Sequence, residues 1–74
     1  MTNEEFKNIR EKLKLSREEM AELIALSSYT AVANIELGIR NPSKLTAKFL
    51  RYINAMPKAS AKRLIEEFNK YDSN

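Results

Sequence analysis

The sequence has no cysteine and no histidine, and only one glycine and two prolines among 74 residues. Without cysteine there is neither a disulfide nor thiolate chemistry, which suits a reducing cytoplasm. Without histidine as well, the usual general bases, nucleophiles and soft metal ligands are missing. Carboxylates remain, but the pattern places them on solvated helix faces beside Lys and Arg. No glycine-rich loop is present to cradle a phosphate. Measured against what an active site requires, the chain reads as a non-enzyme without cofactor or metal. No apolar run approaches the ~20 residues of a membrane span, and the polar start MTNEEFKNIR is not a signal peptide. A cytoplasmic protein is expected.

What the sequence does have is helix-forming. Ala, Leu, Glu, Lys and Arg dominate, whereas Val, Ile and Thr are sparse, and this favours helix over strand. At 43% hydrophobic residues the chain can build one compact core, and its length allows a single domain over residues 1–74. The net charge of +3 is unevenly placed. Residues 1–27 carry a net −1, residues 28–51 a net +3 and residues 52–74 a net +1. The plain reading of such charge is a solvated surface. Its concentration after residue 28 points instead to a polyanion.

Periodicity predicts five helices. The first runs from about Asn3 to Leu13, with Phe6, Ile9 and Leu13 as its apolar stripe and Asn3 as a possible cap. Ser16 and Glu19 form a capping box at the start of the second, whose inward residues are Met20, Leu23 and Ile24. Ala21 is small where two helices must cross closely. Leu26 lies in the turn, and Ser27 or Ser28 begins the third helix, which Gly38 ends after Leu37. A turn of about 100° per residue points Val32 and Ile35 inward. The outward face is then Tyr29, Thr30, Ala33, Asn34 and Leu37, and it bears no charge. Such a face is dressed for contact rather than solvation. Ser43 caps a fourth helix, about Lys44 to Ala55, and Pro57 separates it from a fifth reaching about Lys70. Asp72 to Asn74 are expected to fray.

Two short helices joined by a tight turn, with Ala21, Leu26, Val32 and Ile35 inward, form the helix-turn-helix pattern. In that arrangement the first helix braces the second in the major groove of DNA. The segment NIREKLKLSREEMAELIALSSYTAVANIELGIRNPS resembles the lambda-repressor/Cro-like, xenobiotic-response-element type of helix-turn-helix domain, and the likeness covers about residues 6–56. The matching pieces are IREKLKLS into REEMAE, then IELGIRNPS. Within this family, LSSYTAVANIELGIRNPS is similar to short phage-type repressors, including those associated with anti-CRISPR operons, and many antitoxins share the pattern. There are departures. Ala25 stands where the turn usually has Gly, Ile35 where the phage-type version often has Trp, and the stretch from Leu26 to Ile35 is one residue longer than the common form.

The resemblance implies an all-helical, five-helix, lambda-repressor-like fold that binds double-stranded operator DNA. Arg17 matches the polar residue that grips phosphate at the start of the brace helix. Ser28, Tyr29, Thr30, Ala33 and Asn34 fall on the reading helix. An Asn there can bond an adenine edge with both amide atoms. Tyr29 reads equally as a base contact or as partial core. Arg40, Asn41 and Lys44 follow where phosphate contact is expected, whereas Lys48 and Arg51 read as well as solvated charge. Arg10 and Glu36 match a structural ion pair of the family. Too much of the fourth helix is apolar for one core, so Tyr52, Met56, Leu64, Ile65, Phe68 and Tyr71 are expected to serve a homodimer. The function expected is a repressor that binds a palindromic operator of its own operon, and the narrower likeness extends this to a phage anti-CRISPR operon. The alternative is an antitoxin that binds DNA and a toxin partner.

Overall fold

Thr2, not Asn3, starts the first helix. In the computed structural model, which describes residues 1–71, helix α1 spans Asn3–Lys12. The Thr2 hydroxyl accepts from the Glu5 backbone N–H at 3.0 Å. Asn3 is drawn elsewhere, because its side-chain amide donates to the Glu36 carbonyl at 3.2 Å. Helix α2, Arg17–Leu23, has both halves of the expected Ser16–Glu19 capping box. Helix α3, Tyr29–Glu36, begins at Ser28, helix α4, Lys44–Asn54, at the Ser43 cap, and helix α5, Lys58–Phe68, at Pro57. Helix α5 closes at Asn69, slightly short of the expected Lys70. No strand occurs among the described residues, so the chain is all-helical with five helices. The expected fraying of Asp72 to Asn74 lies outside the described residues.

A chain with one glycine must end its helices by other means. The first three helices close in the same way, with paired backbone bonds that place one residue in the left-handed region. After α1, Lys14 and Leu15 donate to the Glu11 and Arg10 carbonyls, with Lys14 at φ 57°. After α2, Ala25 and Leu26 donate to Glu22 and Ala21, with Ala25 at φ 58°. After α3, Gly38 and Ile39 donate to Ile35 and Asn34, with Gly38 at φ +79°. Only the last uses the residue suited to that conformation. Ala25 therefore follows the turn for which the resemblance implies Gly, at the steric cost of a Cβ.

That cost is testable. Ala25 is exposed, so Ala25→Gly sacrifices no packing. Relief of ~1–2 kcal/mol of left-handed strain, less the greater unfolded freedom of Gly, leaves a stabilisation of ~0.5–1 kcal/mol. A higher urea midpoint with unchanged slope is the expected result.

Helix α1 packs on α3 and α4, α2 on α3, and α5 on α4. Their shared core consists of Phe6 and Ile9, Met20, Ala21 and Leu23, Val32 and Ile35, Leu50 and Ile53, and Ala61. Each large side chain removed from water contributes ~1.5–3 kcal/mol. Ala21 of α2 is buried in this core. Ile35 fills its place in the core without a Trp. The outer apolar residues of α4 and of the turn after it divide: Leu45 and Tyr52 are exposed, while Phe49 and Met56 are half-buried. Phe49 stacks on Phe68 of α5 with ring centroids 5.0 Å apart.

Candidate nucleic-acid interface

Helix α3 owes its position to α2 on one side and α1 on the other. Ala31, Val32, Ile35 and Glu36 are buried, so the opposite side is turned out. On that side Tyr29 is 54% exposed, which excludes it from the core. Thr30 and Leu37 are exposed, and Ala33 and Asn34 are half-buried. This outward face carries no charge, as the sequence predicted. Among the described residues no hydrogen bond engages the Asn34 side chain, and its amide can meet both edges of a donor–acceptor pair.

The start of α3 differs from those of α1 and α2. Ser28 is exposed and makes no side-chain cap bond, and the first turn holds no acidic residue. Helices α1 and α2 each have a capping side chain and two glutamates there. The first N–H groups of α3 therefore lack a side-chain partner, and they form the positive end of the helix dipole. Such an end favours an approaching phosphate. The segment leaving α3 is bound back to it, since the Arg40 N–H donates to the Asn34 carbonyl at 3.3 Å. Arg40, Asn41 and Lys44 are all exposed along that segment. The basic segment thus leaves directly from the last turn of α3.

Glu36 closes the helix from inside. Its side chain is only 2% exposed, and its Oε2 accepts from Arg10 Nε at 2.5 Å. Its Oε1 accepts from Arg10 Nη2 and from Arg17 Nε, each at 3.2 Å. Arg10 also donates Nη1 to the Leu15 carbonyl at 2.9 Å. The Arg10–Glu36 pair implied by the resemblance is thus formed, and it ties α1, the α1–α2 turn and α3 together. The sequence missed the second arginine. Glu18, Glu19 and Glu22 lie close by in sequence, yet Arg17 pairs with Glu36, 19 positions on. Only the folded packing of α2 against α3 reveals this.

Burial pushes the Glu36 carboxyl up, and the hydrogen bonds and charge of Arg10, then of Arg17, pull it down by more. Its net value lies below the ordinary 4.5. The folded state therefore holds the proton less tightly than the unfolded chain. The corresponding stability is complete above the unfolded carboxyl value and is lost as pH falls through the depressed one. Denaturant midpoints should be level from pH 8 to about pH 5 and decline below about pH 4.5. Glu36→Gln should have a shallower acid decline than the parent chain in the same titration.

The other predicted positions fall into two groups. Arg51 forms two 3.0 Å bonds with Glu5, 46 positions away, so it is an exposed ion-pair partner. Lys48 is exposed. Of the residues expected at a dimer contact, Tyr52, Phe68 and Tyr71 are exposed, whereas Met56, Leu64 and Ile65 are half-buried against the core. Among the described residues, no helix is long and apolar enough to cross a membrane.

Two short helices packed at a tight turn, the second presenting an uncharged face beside a basic segment, define a helix-turn-helix DNA-binding domain. The helix-turn-helix family profile matches residues 6–50, which span α1 to most of α4. The chain belongs to this lambda-repressor-like helix-turn-helix family of DNA-binding transcription regulators. No curated protein and no solved structure matches it.

Proposed function

We propose that the chain is a transcriptional repressor that occludes a promoter by binding a two-fold symmetric operator as a homodimer. The observation that carries this reading is the charge-free outward face of α3, Tyr29, Thr30, Ala33, Asn34 and Leu37, beside the exposed Arg40, Asn41 and Lys44. Ser28, Tyr29, Thr30, Ala33 and Asn34 face base edges, and Arg17, Arg40, Asn41 and Lys44 hold phosphates. One such helix makes few contacts, so two copies are needed for tight specific binding. Exposed Tyr52, Phe68 and Tyr71 support pairing through the C-terminal helices, with Met56, Leu64 and Ile65 behind them. Regulation follows protein concentration and cooperativity, and the target is the repressor's own operon, of the phage type associated with anti-CRISPR genes.

Selection from random duplex DNA tests this. The expected consensus is an inverted repeat whose half-sites lie about 10 base pairs apart, or a multiple of that, centre to centre. A consensus with one half-site and no inverted partner contradicts the symmetric dimer, as does sedimentation showing monomer alone on the selected duplex.

A further inference from the structure

Arg17 is the first residue of α2 and Glu36 the last of α3, so their bond joins the brace to the end of the reading helix. Arg10 alone could neutralise the Glu36 carboxylate. It donates to both oxygens and is itself only 13% exposed. Arg17 adds a second guanidinium to the same Oε1 through Nε, while its side chain remains 46% exposed. Two positive charges then face one negative charge. The surplus lies on the outer member, Arg17, whose two terminal nitrogens make no hydrogen bond among the described residues.

We propose that Glu36 is a positioning residue for DNA binding, holding Arg17 by Nε so that its terminal nitrogens present a ready fork to a backbone phosphate. This rests on the reading of the chain as a duplex-DNA binder. A free arginine loses much rotamer freedom when it grips a phosphate, and one already anchored has lost part of it on folding. A guanidinium can bond a carboxylate through one edge and a phosphate through another. A lysine ammonium is a compact point charge and cannot bridge both with the same geometry. Glu36 thereby serves two purposes: inward it secures α1 to α3 through Arg10, and outward it aims the grip on DNA.

The test measures affinity for the selected duplex over a potassium chloride series, with thermal melts on every variant. Arg17→Ala should weaken binding and reduce the slope of log affinity against log salt by about 0.9, the value for one phosphate. Arg17→Lys should also bind at least fivefold more weakly than the parent although its charge is kept. Glu36→Asp withdraws the carboxylate by one methylene and should weaken binding several-fold in the parent but leave Arg17→Ala binding unchanged. That loss of effect separates positioning from a general weakening of the fold. Equal binding by Arg17→Lys and the parent overturns the proposal, as does an effect of Glu36→Asp that persists in full beside Arg17→Ala. Should Glu36→Asp fail to fold, the lysine variant decides alone. A parent chain that binds no duplex at low salt overturns the DNA-binding reading and this proposal together, whereas failure of the variant pattern alone overturns only the latter.

Discussion

Glu36→Ala should remove ~3–5 kcal/mol of folding stability, because it strands a nearly buried guanidinium on Arg10 without its acceptor. For a chain of 74 residues that is a large part of the ~4–11 kcal/mol expected in total. Arg10→Ala should cost a similar amount by stranding the carboxylate, though Arg17 retains one bond to it and softens the loss. The two losses should not add, since either change breaks the same pair. A double replacement, Arg10→Met with Glu36→Leu, should recover most of the stability, because apolar packing can replace a buried pair. Urea unfolding of five proteins checks this: the parent, the two single alanine variants, their double variant and the Met–Leu replacement. Glu36→Ala with a midpoint near that of the parent would mean that the pair is not formed as described.

Asn34→Ala should give the opposite profile, with stability retained and recognition lost. Its side chain has no hydrogen bond to lose among the described residues and is half-buried on the outward side of α3. A bidentate contact to an adenine edge contributes ~1–3 kcal/mol of discrimination, so affinity for the selected duplex should fall about 5- to 150-fold. Affinity for unrelated duplex should hardly change, because phosphate contacts are sequence-blind. Tyr29→Ala should follow the same pattern, since a side chain that is 54% exposed supports little of the core. Parallel titrations and melts distinguish the outcomes. Equal affinity of Asn34→Ala and the parent for the selected duplex would mean that the base contacts of α3 fall at other positions.

The helix starts were largely legible because their chemistry is local. Ser16 with Glu19, and Ser43 with Thr46, are signals contained within four residues, and both caps form. Gly38 likewise marks the end of α3 by its own conformational freedom. Thr2 takes the place expected of Asn3, since both are competent caps. The choice between them depends on a carbonyl 33 positions from Asn3, which claims its amide. The ends of α1 and α2 were harder still, because Lys14 and Ala25 adopt a left-handed conformation that their side chains do not favour.

The outward face of α3 followed the same division. Helical periodicity alone turned Tyr29 and Asn34 away from Val32 and Ile35, and the folded chain keeps that separation. The Arg10–Glu36 tie came from resemblance to a family. Arg17's bond to Glu36 and Arg51's to Glu5 came from neither source, since each depends on two helices meeting across 19 and 46 positions. Long flexible charged side chains have many candidate partners in sequence, and tertiary packing selects one.

Whether the charge-free face of α3 is the surface that meets DNA is tested by two-dimensional amide NMR of the isotopically labelled chain titrated with its selected duplex. Shift changes should centre on Ser28 to Asn34, with a second group at Arg40, Asn41 and Lys44 and a third at Arg17. The amides of α1 between Phe6 and Ile9 should move little. Changes confined to α5 or to the outer side of α1, with Ser28 to Asn34 unmoved at saturation, would contradict it.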